Sequence, residues 1–208
     1  MIKAKYHATL DEYRYPRQEL VDLYFKELEP LVVQYGAKMK WGRTKKQAWT
    51  PGINAVDPTL AEGKKWLTDY PLLKEIFNKF NITEFHPDDM DILVYNQEYE
   101  FPPHVDFKQN AVIMLPILPD APTPITYYTM PGVKLEKYMK YRNLDKEKYL
   151  DYVHHYSMEY PTLSNGMCIH GVSKIKPNET RVFLRIKILT DTFEDIISKL
   201  ERGVFIND

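Results

Sequence analysis

The sequence holds a single cysteine, Cys168, among 208 residues. One thiol excludes an internal disulfide, so the fold must be held by its core, and a reducing compartment suits it. A run of apolar residues able to cross a bilayer is missing, since a spanning helix needs roughly 20 in succession. The N-terminus Met1-Ile2-Lys3-Ala4-Lys5 also lacks the apolar centre of a signal peptide, so a cytoplasmic protein with no membrane partner is expected. Net charge is nearly absent: 28 Lys and Arg against 29 Asp and Glu leave −1. No global field therefore draws the chain to nucleic acid or to an anionic membrane surface. Internal repeats, low-complexity stretches and an interdomain linker are lacking too. A chain of this length can bury one good core, and a single domain over residues 1–208 is expected.

What is present is ordinary in bulk, with 44% hydrophobic and 27% charged residues. The 16 tyrosines and 15 prolines favour strands joined by loops. Residues 1–15 read as an extended, partly exposed lead-in. From Pro16, Leu20, Leu23, Tyr24, Leu28 and Leu31 recur at helical spacing, with Gly36 beyond the end and Pro30 set to kink or divide the helix. Two short helices are expected over 57–80, the first opened by Asp57 and Pro58. The second carries Leu72, Leu73, Ile76, Phe77 and Phe80 on one face. From residue 82 the pattern changes to strands: Ile82–His86, Asp91–Asn96, Asn110–Leu118, Pro124–Thr129, Tyr156–Tyr160, Thr162–Ser164, Met167–Val172 and Arg181–Leu189. A charged insert at 131–155 is expected to be helical in part. The tail places Phe193, Ile196, Ile197 and Leu200 in helical register, with Gly203 as a stop. The division is a helical N-terminal part (1–81) packed on a strand-rich core (82–190), then a C-terminal helix and tail (191–208). Many short strands with polar turns point to a mainly β sandwich or jelly roll with flanking helices, an α+β class.

Chemistry concentrates in Tyr95-Asn96-Gln97-Glu98-Tyr99-Glu100-Phe101-Pro102-Pro103-His104-Val105-Asp106. In an extended strand, side chains at i and i+2 leave the same face, so His104 and Asp106 can reach one point. A metal held there needs a third ligand, and His170, in an apolar run, is the best candidate. Two His and one carboxylate with open positions form the facial arrangement of non-haem Fe(II) oxygenases. Eleven residues after His170 stands Arg181. Its guanidinium can pair bidentately with a carboxylate of an acidic co-substrate.

This pattern resembles the Fe(II)/2-oxoglutarate-dependent dioxygenase superfamily, over roughly residues 90 to 190, and its prolyl 4-hydroxylase-like branch in particular. That branch carries Y-x-x-G-x-x-Y-x-x-H-x-D. Here Tyr95, His104 and Asp106 agree, Phe101 is a conservative aromatic change and Glu98 replaces the glycine. The basic residue stands one position later than the commoner spacing, where Thr180 is found. The resemblance implies a double-stranded β-helix core, Fe(II) held by His104, Asp106 and His170, and 2-oxoglutarate held by Arg181 and Tyr95. It also implies O2 as a reactant, with release of succinate and CO2 and hydroxylation of a C–H bond. The upstream motif leans towards a prolyl or other protein or amino-acid side chain. Against that branch, its G-G-E-T-like segment is absent, and Pro122–Thr129 stands in its place.

Alternatives remain open at this stage. A nucleic-acid base dioxygenase would use the same metal site. The basic, Trp-containing loop 37–49 favours it and the near-zero net charge does not. That loop is more simply one whose tryptophans pack on the core. A non-catalytic binding module of the same fold is the third reading. Arg185 alternates onto the face of Arg181 and is the second candidate to anchor 2-oxoglutarate. His154 and His155 are adjacent and diverge in either a strand or a helix, so one ion is hard for both to reach. His7 and His86 lack a partner at ligand spacing. Cys168, two residues before His170, is expected to be a buried small hydrophobe.

Overall fold

The computed structural model describes residues 5–30, 53–54, 70–83, 90–95, 101–106, 109–120, 122–129, 151–172 and 179–207. The helical stretch beyond residue 30, the basic loop 37–49, the first short helix of 57–80, residues 84–86 and most of the charged insert lie outside these. Ten strands are described: β1 (His7–Thr9), β2 (Ile53–Asn54), β3 (Met90–Tyr95), β4 (Phe101–His104), β5 (Ala111–Leu118), β6 (Ile125–Thr129), β7 (Asp151–Tyr156), β8 (Thr162–Asn165), β9 (Ile169–Val172) and β10 (Arg181–Ile188). They form two antiparallel sheets: a six-stranded one ordered β1-β8-β5-β10-β3-β2 and a four-stranded one ordered β4-β9-β6-β7. The fold is mainly β, as expected. From β3 to β10 the chain passes back and forth between the two sheets, staying in one only at β6 and β7.

The long apolar runs reflect burial on both faces. In β5 every residue from Ala111 to Ile117 is buried. Ala111, Ile113, Leu115 and Ile117 face outward onto a helical layer, together with Val182, Leu184, Ile186 and Ile188 of β10. Val112, Met114 and Phe183 face the other way, towards Ile125, Tyr127 and Met158 between the sheets. A central strand covered on both sides needs apolar residues at successive positions, which hides the period-two pattern. Each fully buried Val, Leu or Ile contributes about 1.5–3 kcal/mol of transfer free energy to this double-sided core. Pro116 has no N–H to give a central ladder. The β5–β10 register slips there, with Val182 opposite Leu118 but Phe183 opposite Pro116.

The outer layer is α1 (Arg17–Leu23), α2 (Pro71–Asn78) and α3 (Phe193–Glu201). Beyond α1 the backbone widens into a π-turn, Tyr24–Leu28, in which the Glu29 N–H reaches the Tyr24 carbonyl. Pro30 cannot donate and would crowd a carbonyl one α-turn back, so a widened turn before it is a physical outcome of the expected kink. In α2, Leu73 and Ile76 are buried, as their spacing predicts. In α3, Thr192 and Asp195 form a reciprocal capping box and Gly203 follows at φ 66.

The lead-in is extended and half-buried at His7–Thr9, as expected, and it is also paired, with His7 opposite Ser164 and Thr9 opposite Thr162. A second N-terminal strand, β2, pairs with β3. Residues 151–155, the end of the insert, are strand, and the rest of it lies outside the described residues. Ile82 and Thr83 are not strand, although the preceding Phe80 makes an isolated bridge to Ile206. No helix among the described residues is long and apolar enough to cross a membrane.

Candidate metal centre and its cavity

The antiparallel ladder between β4 and β9 sets His104 directly opposite His170. Opposite residues of such a pair share a face, so two imidazoles distant in sequence become neighbours, with ring centroids 4.5 Å apart. The ladder ends at His104, and Asp106 lies just beyond it rather than within the strand. Its backbone N–H donates to the Gly166 carbonyl at 2.9 Å, and its own carbonyl accepts from the Gln109 N–H at 3.2 Å. The Asp106 carboxylate thereby stands between the rings: Oδ1 is 3.7 Å from His104 Nε2, and Oδ2 is 3.7 Å from His170 Nε2.

These three form the one cluster of at least three metal-capable side chains among the described residues, with donor atoms within 4.8 Å of one another. Donors about 2.1 Å from one ion at right angles lie about 3 Å apart, so the three side chains must draw closer to share an ion. The His170 Nδ1 lies 2.9 Å from the Cys168 carbonyl. A proton there donates to that carbonyl and leaves the Nε2 lone pair for an ion, an orienting contact that metal-binding histidines use. Burial, reinforced by neighbouring His104, lowers the His170 pKa and favours the neutral ring. Burial alone would raise the Asp106 carboxyl. The His104 hydrogen bond and the charges of His170, His104 and Arg185 outweigh that and hold it well below the usual carboxylate range. Two imidazole nitrogens and one ionised carboxylate suit a divalent transition metal with open positions.

The group sits in the wall of a cavity of about 590 Å³, counting its open mouth. Val112, Met114, Ile125, Met158, Val172 and Phe183 supply its apolar wall. Arg181 and Arg185 both line it, so strand parity carries the two to one face as expected. Arg181 is 2% exposed, and its guanidinium carbon lies 4.9 Å from the Phe183 ring centroid. Its Nε stands 4.0 Å from Glu179, whose two carboxylate oxygens accept from the Thr123 N–H and hydroxyl at 3.0 and 2.9 Å. Tyr95 is the cross-strand register partner of Arg181.

Other singled-out residues fall elsewhere. His154 and His155 are exposed on β7, and His155 Nδ1 lies 2.8 Å from the Thr126 hydroxyl. His7 stacks on Tyr156 at 3.9 Å and on His154 at 5.2 Å, a contact between the two sheets that spacing did not foretell. The Cys168 thiol approaches the Lys5 carbonyl at 3.5 Å, and burial pushes its pKa up to about 11. His86 and Glu98 lie outside the described residues. Ser164, which lines the cavity and pairs its hydroxyl with Tyr127 at 3.0 Å, carried no sequence signal. Neither did Gly166.

No protein-family model matches the sequence, and no curated protein does. Among solved structures, the chain is similar to AviO1 from Streptomyces viridochromogenes, with 11% identity, a TM-score of 0.49 and 88% of each chain covered. It is similar to HygX from Streptomyces hygroscopicus, solved with nickel and 2-oxoglutarate bound, at 12% identity and TM-score 0.42, covering 83% of this chain and 79% of that one. A Pseudomonas putida prolyl-4-hydroxylase follows at 12% identity and TM-score 0.33, covering 86% and 97%. Likenesses this distant assign no activity. What the cavity can do rests on its own side chains.

Proposed function

We propose that the protein is an Fe(II)- and 2-oxoglutarate-dependent oxygenase, with His104, Asp106 and His170 as the metal ligands. The observation that carries this is one carboxylate held 3.7 Å from two imidazoles that face each other across a ladder, inside a cavity also lined by arginine. The passage of the chain between two sheets supports reading its core as a double-stranded β-helix. The reaction we assign is hydroxylation of a C–H bond on a prolyl or other protein or amino-acid side chain, with release of succinate and CO2.

Fe(II), when bound with 2-oxoglutarate and O2, supplies the oxidising chemistry, which the protein itself does not have to perform. His170 presents Nε2 because its other nitrogen is engaged with the Cys168 carbonyl. Asp106 remains ionised and leaves a dicationic metal with one net positive charge, favouring an anionic chelator. Arg181 takes the distal carboxylate, held in place by Glu179 and by the face of Phe183. Tyr95 assists it from the adjoining strand. The apolar wall limits water around the reacting atoms and positions the C–H bond.

Succinate release from 2-oxoglutarate by Fe(II)-loaded protein, without any prime substrate, tests the assignment. Slow turnover that vanishes in His104→Ala is expected. Absence of both turnover and metal-dependent 2-oxoglutarate binding in the parent protein would overturn it and leave a binding module.

A further inference from the structure

We propose that the Ser164 hydroxyl, backed by that of Tyr127, forms a neutral hydrogen-bonding subsite for the prime substrate, donating to an uncharged carbonyl near the C–H bond to be hydroxylated. The subsite presumes that the cavity is a 2-oxoglutarate centre, and so rests on that reading.

Register brings the pair to the metal group. Tyr127 of β6 stands opposite His170 of β9 and shares its face, with ring centroids 6.1 Å apart. Ser164 belongs to the other sheet, opposite Val112 of β5. It precedes by two residues Gly166, whose carbonyl takes the Asp106 N–H. The two hydroxyls meet between the sheets at 3.0 Å. Tyr127 is 1% exposed and Ser164 9%, and Ser164 lines the cavity together with His104, Asp106 and His170.

A count of protons leaves one over. Each hydroxyl carries one proton and two lone pairs, so a bond between two hydroxyls uses one proton and frees the other. Among the described residues, neither oxygen has a further partner. A phenol is the stronger donor, and burial raises the Tyr127 pKa and keeps its proton on. Tyr127 therefore donates to Ser164, and the Ser164 proton is the one turned to the cavity. A donor left unpaired among Val112, Met114 and Ile125 is costly, and an entering acceptor relieves that cost. Two neutral hydroxyls in an apolar wall suit a neutral acceptor, and the carbonyl of an amide or ketone supplies one. Every prolyl or other aminoacyl residue of a peptide carries such a carbonyl.

The test uses Co(II)-loaded protein saturated with 2-oxoglutarate and two probes of one ring shape. Cyclopentanone offers a carbonyl, and methylenecyclopentane replaces its oxygen with a methylene group. Broadening of the probe proton resonances by Co(II) reads binding close to the metal. Ser164→Ala should weaken cyclopentanone by roughly three- to tenfold and leave methylenecyclopentane unchanged. Tyr127→Phe should weaken the ketone less, because Ser164 keeps its proton. The double variant Ser164→Ala/Tyr127→Phe leaves neither hydroxyl stranded, and it replaces Ser164→Ala should that variant not fold. Equal weakening of both probes, or no change in either, would make the pair a cross-link between sheets and overturn the subsite. A larger loss in Tyr127→Phe than in Ser164→Ala would overturn Ser164 as the donor. A parent protein that takes up Co(II) and 2-oxoglutarate but neither probe overturns the subsite alone. One that binds neither Co(II) nor 2-oxoglutarate overturns the underlying reading, and the subsite with it.

Discussion

Gly166→Ala should loosen the metal site more than its small size suggests. A Cβ on Gly166 would stand 2.2 Å from the Gln109 carbonyl oxygen and 3.4 Å from Asp106 Cβ. An ordinary carbon–oxygen contact is about 3.3 Å or longer, so the 109 backbone must retreat by roughly 1 Å. Backbone is the costly thing to displace, and overpacking of this kind destabilises by about 1–3 kcal/mol. In a chain of this size each kcal/mol lowers Tm by about 2–4 °C. The same movement drags Asp106, whose carbonyl accepts from Gln109 and whose N–H donates to the Gly166 carbonyl. Loss of supporting contacts around a ligand typically costs roughly 10- to 100-fold in metal affinity, and that is the expected fall in Co(II) binding. Gly203→Ala is the control. Nothing lies within 4 Å of its added Cβ, yet φ +66 strains an alanine. That variant should lose about 1–2 kcal/mol of stability and no metal affinity. Gly166→Ala with a lowered Tm but parental Co(II) affinity would refute the link from Gly166 to Asp106. An unchanged Tm would refute the steric reasoning itself.

Three further outcomes are expected. His104→Ala should leave the metal-free Tm nearly unchanged, because the ring is half-buried at the end of its strand, yet lower Co(II) affinity by more than roughly 100-fold. A large loss of fold instead would make His104 a core residue. His7, packed against Tyr127, His154 and Tyr156, has its pKa lowered to about 4, first by burial and then by His154. Between its unfolded pKa of about 6.5 and the folded value, only the unfolded chain takes up the proton, so stability should fall as pH falls through that window. His7→Phe should flatten the Tm profile from pH 7 to 4, and an unaltered slope would remove His7 as its source. Thr192→Ala removes the hydroxyl that accepts from the Asp195 N–H at 3.1 Å and should cost about 1 kcal/mol in denaturant unfolding. Equal stability would mean that the capping box adds nothing at this exposed site.

Much of this was legible along the chain because the signals are local. Helical spacing in α2 and α3 needs only neighbours, and so does the strand parity that carries Arg181 and Arg185 to one face. The paired His104 and Asp106 were visible for the same reason, although the backbone turns off the ladder between them and the Gly166 contact, not strand alternation, fixes the carboxylate. Patterns failed where a distant partner decides. His7 lies in a strand because β8 offers it an edge, and residues 151–155 are strand because β6 pairs with them, despite their charged surroundings.

The sequence by itself determined the chemical types available, two imidazoles, one carboxylate and two guanidiniums, and which residues leave a strand on the same side. Tertiary structure decided which of these meet. The β4–β9 register set His104 against His170, and the Asp106–Gly166 contact placed the carboxylate between them. Register is fixed by hydrogen bonds and burial between segments far apart in the chain, and a shift of one residue would turn each side chain to the opposite face.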